Sequence, residues 1–286
     1  MRRVLAWASV CIGVAAGAAI AWVYVASEAH LRSFGSPPAF TAAIPDDAAA
    51  VARGDHLVRT RGCSGCHGDR LQGQVMWGYA VAPNLPAFAR EQSAAEFEAA
   101  LRHGVGPDGR AFYDMPSYNF FHLRDDDVAD ILAYLRNVPV ERVELPEPHL
   151  PWRIRFNLAR GSNQAIAGFL PKIPPLRHAT DSDSSLARGE YLAMTTCIEC
   201  HGLSLHADSP FGDETAPDLV VIAGYDEAAF THLMRTGKAL GERELSMMSG
   251  VARGRFVHFT DMEVRDLYGF LSGYVARDPG NLSQNR

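Results

Sequence analysis

Two short motifs carry the chemistry of this 286-residue sequence, Cys63-Ser64-Gly65-Cys66-His67 and Cys197-Ile198-Glu199-Cys200-His201. Each puts two thiols three residues apart, with an imidazole directly after the second. On one tight turn the two sulfurs and the ring can face a planar macrocycle, which is the geometry of c-type haem attachment. The thiols add to the vinyl groups as thioethers and the histidine reaches the iron, so two covalently bound haem c groups are expected. Zinc fits less well, because a single Cys-x-x-Cys gives two of the usual four ligands and an adjacent histidine is wrongly spaced. A disulfide oxidoreductase would place the pair between a strand and a helix and has no use for the histidine. Structural disulfides leave unexplained why both copies share the spacing, the histidine and the following Gly68 or Gly202. The fifth cysteine, Cys11, lies in an apolar run and reads as filler.

An iron that only exchanges electrons is best served by a second protein ligand, and methionine beside histidine raises its potential. Met115, in the loop Asp114-Met115-Pro116, is the first candidate. An offset of 133 residues carries it onto Met248, where Ser249 replaces the proline and Met247 is the rival. Met76 follows its histidine too closely, Met194 precedes its cysteines, and Met234 and Met262 fall on expected helices. Histidine ligation by His103, His122, His232 or His258 is the alternative, and plain core packing is the bland reading of either methionine. A ligating imidazole normally donates its other N–H to a fixed acceptor. The carbonyls of Pro83 and Pro217, each 16 residues past its histidine, are the candidates, against the simpler reading of a turn.

Positioning these groups requires a scaffold, and the chain contains it twice. Arg53-Gly54-Asp55-His56-Leu57 precedes the first motif as Arg188-Gly189-Glu190-Tyr191-Leu192 precedes the second. Pro83-Asn84-Leu85 recurs as Pro217-Asp218-Leu219, and the stretch from His122 to Leu135 matches that from His258 to Leu271. Each copy reads as helices and loops: one before the cysteines, one near Ser93 to Arg102, and one near Asp125 to Asn137. Val128, Ile131, Leu132 and Leu135 recur at helical steps, as do Val264, Leu267, Tyr268 and Leu271, which gives each last helix a buried stripe. Asp125 and Asp261 stand where N-caps are expected. The fold class is therefore all-α, with two tandem helical domains at 48–139 and 186–277. A segment at 31–47 precedes the first, a proline-rich linker at 140–185 joins them and is expected to drape over one domain without functional residues, and a tail at 278–286 follows.

From Val4 to Ala26 the chain has no charge, long enough as a helix to cross a hydrocarbon core of about 30 Å. Arg2 and Arg3 before the run and Glu28 after it leave the N-terminus inside and export the rest. Residues 1–30 are thus expected to form a single-pass inner-membrane anchor with the domains in the periplasm. The alternative is a signal peptide cleaved at Ser27-Glu28-Ala29, although secretory apolar regions are shorter. Past the run, 25 basic residues stand against 33 acidic ones, a net −8, which argues against nucleic acid. It favours a protein partner with a positive docking face.

With both motifs, the Arg-Gly segments, the Pro-Asn-Leu turn and the Met-Pro loop in view, the chain resembles the class I cytochrome c family. It is most similar to membrane-anchored dihaem cytochromes and to the cytochrome subunits of periplasmic dehydrogenases. The resemblance implies haem contacts from Cys63, Cys66, His67 and Met115 and from Cys197, Cys200, His201 and Met248, the last being where this sequence departs most. It implies electron transfer rather than catalysis, with a dehydrogenase, an oxidase or a soluble cytochrome as redox partner. A dihaem peroxidase and a fixed subunit of a larger complex are the alternatives.

Overall fold

The computed structural model describes residues 2–180, 183–207 and 216–277, so the C-terminal tail lies outside the described residues. Helix α1, Arg2–Leu31, is a continuous apolar rod longer than the uncharged run alone. The first repeat then folds as α2 (Ala48–Thr60), α3 (Cys63–His67), the strands β1 (Gln74–Met76) and β2 (Ala80–Ala82), α4 (Leu85–Glu91), α5 (Ala94–Glu98) and α6 (Asp125–Asn137). Short polar side chains start these helices by accepting from free backbone N–H groups: Asp47 for α2, Asn84 for α4, and Ser93 with Glu96 as a reciprocal box for α5. Between the repeats lies α7 (Trp152–Ala159). The second repeat runs α8 (Ser185–Met194), α9 (Ile198–His201), α10 (Glu227–Thr236), the strands β3 (Lys238–Ala239) and β4 (Arg243–Glu244), α11 (Ser246–Gly254) and α12 (Asp261–Arg277).

In each repeat the first and last helices cross at a glycine. A Cβ on Gly54 would lie 2.1 Å from the Asp130 carbonyl oxygen, and one on Gly189 would lie 2.0 Å from that of Asp266. Only glycine lets the backbones approach this closely. Beside each crossing an arginine ties the helices, Arg53 to Asp130 and Arg188 to Asp266, both at 2.6 Å. The expected stripe of α6 is buried in full, together with Leu57, Phe97 and Leu123; Val264, Leu267 and Leu271 of α12 are buried with Leu192, Ile198 and Phe230.

The repeats also pack on one another with approximate twofold symmetry. His56 of the first meets Glu263 of the second at 2.8 Å, and Tyr191 of the second meets Asp127 of the first. His56 and Tyr191 occupy the same repeat position, as do Asp127 and Glu263. Asn119 of the first accepts from the Glu199 N–H of the second, while its counterpart Arg255, paired with Glu199 inside the second repeat, lies against Gly62 of the first.

Several expectations are corrected. Asp125 and Asp261 are the first residues inside their helices, and their carboxylates bind Arg102 at 2.7 Å and Arg235 at 2.6 Å. Thr260, in a reciprocal bond set with Glu263, starts α12 instead. Each repeat carries a two-stranded hairpin too short for sequence alternation to reveal. The linker does not merely drape: α7 lies along α1, while Ile166, Phe169 and Ile173 enter the second core. From its candidate methionine to the start of the matching His122/His258 stretch the second repeat has three residues more than the first, and α11, a helix where the first repeat has a loop, absorbs them.

Candidate haem sites

Each cysteine motif is wound into one short helical turn by glycines that only an unbranched backbone satisfies. Gly62 precedes α3 at φ +73°, and Gly68 and Gly202 close the two turns at φ +83° and +88°. The turn brings Cys63 and Cys66, or Cys197 and Cys200, onto one side, with His67 or His201 at its end.

Both histidines are buried, and the Nδ1–H of His67 donates to the Pro83 carbonyl at 2.8 Å, that of His201 to Pro217 at 2.7 Å. A carbonyl oxygen can only accept, so Nδ1 must carry the proton and Nε2 keeps its lone pair for a metal. Burial holds both imidazoles below the usual histidine range, against the opposing pull of the proline carbonyls, which keeps them neutral as ligands must be. The acceptor strand is itself pinned: Gly73 N–H binds the His67 carbonyl at 2.7 Å and Leu85 N–H binds Leu71 at 2.9 Å. Ala207 to His201 at 2.8 Å and Leu219 to Leu205 at 3.0 Å repeat the pattern.

The four thiols are not joined as disulfides. Burial pushes the Cys63 thiol up to about 11 and Cys197 up to about 12. Burial also raises Cys66, helped by the charge of Glu199. An exchanging Cys-x-x-Cys needs the opposite shift, toward thiolate, so the environment disfavours the oxidoreductase reading. Among the described residues no three His, Cys, Asp or Glu side chains converge on a point where a bare ion would sit. Two thiols and a tautomer-fixed imidazole per turn are a donor set that fits haem c. Two buried polar atoms without a protein partner, Arg61 Nε and Thr196 Oγ1, stand directly before the motifs.

Met115 is half-buried against the first core and Met248 against the second, whereas Met247 is 63% exposed. Packing thus separates the two rivals that offset alone left close. The histidine alternatives are engaged or exposed: His103 binds Glu98 at 3.0 Å, His122 binds the Pro174 carbonyl at 2.9 Å, His232 meets Glu242 at the surface, and His258 is exposed.

Sequence reading missed the residues between the motifs. Arg255 binds the Glu199 carboxylate at 2.8 Å and lies against Gly62, where a Cβ would come within 1.7 Å of its Nε. Arg61 is buried with its guanidinium 5.8 Å from the Tyr191 ring centroid. The attachment turns are therefore neighbours across the interface. Their signal was the repeat offset, which puts Asn119 and Arg255 at one position.

Residues 51–139 match the cytochrome c family. Over 279 residues the chain is 28% identical to the cytochrome c subunit of a quinone alcohol dehydrogenase from Gluconobacter oxydans, covering 84% of this chain and 58% of that protein. It is 23% identical to the cytochrome subunit of fructose dehydrogenase from Gluconobacter japonicus, covering 80% and 53%. A diheme c-type cytochrome from Cereibacter sphaeroides is 28% identical over 77% of this chain and 80% of its own length. The chain spans about half the length of the dehydrogenase subunits it matches. The match to that family covers the first repeat, and the second Cys-x-x-Cys-His turn repeats its imidazole geometry.

Proposed function

We propose that this chain is a dihaem electron-transfer cytochrome, held on the periplasmic face of a bacterial inner membrane by α1, that receives electrons from a dehydrogenase and passes them on. The observation that carries the reading is the doubled imidazole clamp, His67 on Pro83 and His201 on Pro217, each behind a Cys-x-x-Cys turn. Haem bound there supplies one-electron chemistry. The chain's residues hold it: Cys63, Cys66 and His67 with Met115, and Cys197, Cys200 and His201 with Met248. Met115 and Met248, each packed half-buried against its core, would supply a second ligand to the haem of each turn, which favours transfer over a peroxidase. The relatives, cytochrome subunits of dehydrogenases, support a dehydrogenase as donor.

Retention of α1 is supported by its C-terminal end. Val23, upstream of the candidate cleavage site, and Ser27 within it are buried in the fold; Ser27 accepts from Arg155 at 3.1 Å, and Glu28 pairs with Arg110 at 2.9 Å. Cleavage would unpick that packing. Pyridine haemochrome quantitation of protein matured with haem-attachment machinery should return two haems per chain, resistant to acidified acetone. One haem, or extractable pigment, refutes the dihaem reading. Copurification with a stoichiometric dehydrogenase would identify the donor, while a chain isolated alone would mark a mobile relay.

A further inference from the structure

The linker helix α7 is left unexplained by electron transfer, yet its placement is specific. It runs beside the end of α1 in the same direction: Trp152 stacks near Tyr24 with ring centroids 6.0 Å apart, Arg155 donates to Ser27 at 3.1 Å, and Leu158 shares a buried cluster with Leu31. Along α1, residues 3 to 22 are exposed and burial begins at Val23, followed by Ser27 and Leu31 at four-residue steps. Twenty residues from Val4 to Val23 measure about 30 Å, one hydrocarbon thickness. The protein body thus meets the membrane plane where α7 begins.

What α7 shows at that level is aromatic and cationic. Trp152 and Phe156 are 47% and 40% exposed, beside Trp22 and Tyr24 at 51% and 50%. Arg153 is exposed, and Arg160 lies over the Phe156 ring at 5.5 Å. From Pro151 to Lys172 there are four cations and no acidic residue, in a chain that is otherwise net acidic. Glu28, the one nearby carboxylate on α1, is occupied by Arg32, Arg110 and Arg155. Aromatic rings and arginines at the end of a span are the combination that sits among headgroups, and the positive charge selects anionic ones.

We propose that the first turns of α7 form a second membrane foothold, seating Trp152 and Phe156 among headgroups and Arg153 against anionic phospholipid. The inference rests on the anchor reading above. Its consequence is orientational: a single helix leaves the haem domains free to rotate and tilt, whereas two contacts fix which face they show to a partner.

The test uses the full-length holoprotein carrying Cys11→Ala, so that haem attachment consumes the remaining thiols. Single cysteines are introduced as Trp152→Cys, Phe156→Cys, Val14→Cys within the span, and Met262→Cys on the exposed start of α12. Each variant is reconstituted in phosphatidylcholine vesicles with or without a quarter phosphatidylglycerol, and alkylation by a membrane-impermeant maleimide is timed against Met262→Cys. The expected result is alkylation slowed by about tenfold or more at positions 152 and 156 in the anionic vesicles, with the protection reduced in neutral ones. Protection at position 14 together with free reaction at 152 and 156 overturns the foothold while leaving the anchor intact. Free reaction at position 14 instead overturns the anchor. Equal protection in both lipids overturns the anionic selectivity, and protection that appears only when a purified dehydrogenase is added assigns the patch to a protein partner.

Discussion

Replacing Arg255 by glutamine removes the cation that joins the two attachment turns. At 2.8 Å from Glu199, a full charge pair in an effective dielectric of about 20 gains about 6 kcal/mol before desolvation is counted. Burial works against the Arg255 charge, but Glu199 more than compensates and holds its pKa above the usual arginine value. Breaking such a pair from one side costs about 3–5 kcal/mol when fully buried. The side chains here keep 16% and 22% exposure, so the lower end applies and we expect about 2–3 kcal/mol. Guanidinium chloride unfolding of the holoprotein in detergent, followed by far-UV circular dichroism, should show R255Q destabilised by that amount. E199Q should be close behind, and the double variant should cost well below the sum of the two. Loss of less than about 0.5 kcal/mol in R255Q, with additive singles, would show a solvated surface pair and refute the reading of Arg255 as a desolvated cation held by Glu199 against the first turn.

Further outcomes follow from the same geometry. Gly54→Ala and Gly189→Ala each drive a methyl into a backbone carbonyl, so each should cost about 3 kcal/mol or more and lower the thermal midpoint, since neither helix can slide without losing its arginine tie. Met248→Ala should abolish the near-infrared sulfur-to-iron signature of one haem and lower its potential, while Met247→Ala leaves both as they were; the reverse pattern would reassign the ligand. Burial pushes the Glu263 carboxyl up, but its bonds to His56 and Thr260 prevail and hold it below the usual range. A depressed carboxylate stabilises the fold above its unfolded pKa of about 4.3 and loses that contribution as pH falls through the folded value. Stability measured from pH 6 down to pH 3 should therefore fall less steeply in E263Q than in the parent; identical acid limbs would remove Glu263 from the interface's electrostatics.

What the sequence revealed was what repeats within a short reach. Cys-x-x-Cys-His lies on one turn, and Pro83 lies 16 residues on, so local chain geometry decides both. The stripe of α6 is legible because helical periodicity alone selects the buried face. The start of α6 was misread because Asp125 has the right type for a cap, and only the fold reveals that Arg102, distant in sequence, claims its carboxylate. The β1–β2 hairpin was missed since three-residue strands leave no alternation to detect. The linker was underestimated because proline content signals extended chain and says nothing of where Ile166 and Phe169 come to rest. Offset alone preferred Met248 but kept Met247 as a rival, because the extra residues that follow in the second repeat are taken up by a helix.

The pattern of what stayed equal and what diverged between the repeats has a physical reason. Contacts inside a repeat are duplicated nearly atom for atom: Arg53 to Asp130 and Arg188 to Asp266, Arg102 to the Leu123 carbonyl and Arg235 to that of Phe259. Each answers a demand that both copies face, closing a helix crossing or holding a loop. Contacts between the repeats use the same positions but different chemistry: His56 against Tyr191, Asp127 against Glu263, and Asn119, which accepts from the Glu199 N–H, against Arg255, which lies on Gly62. In a twofold contact between identical subunits each substitution is felt on both sides at once. Within one chain every such position occurs once per side, so one half can carry a neutral amide where the other carries a buried cation. The charge of Arg255 consequently lies between two attachment turns, where it makes their surroundings unequal, and with haem on both turns, as proposed, inequality of that kind would set the two potentials apart and give electron flow a direction.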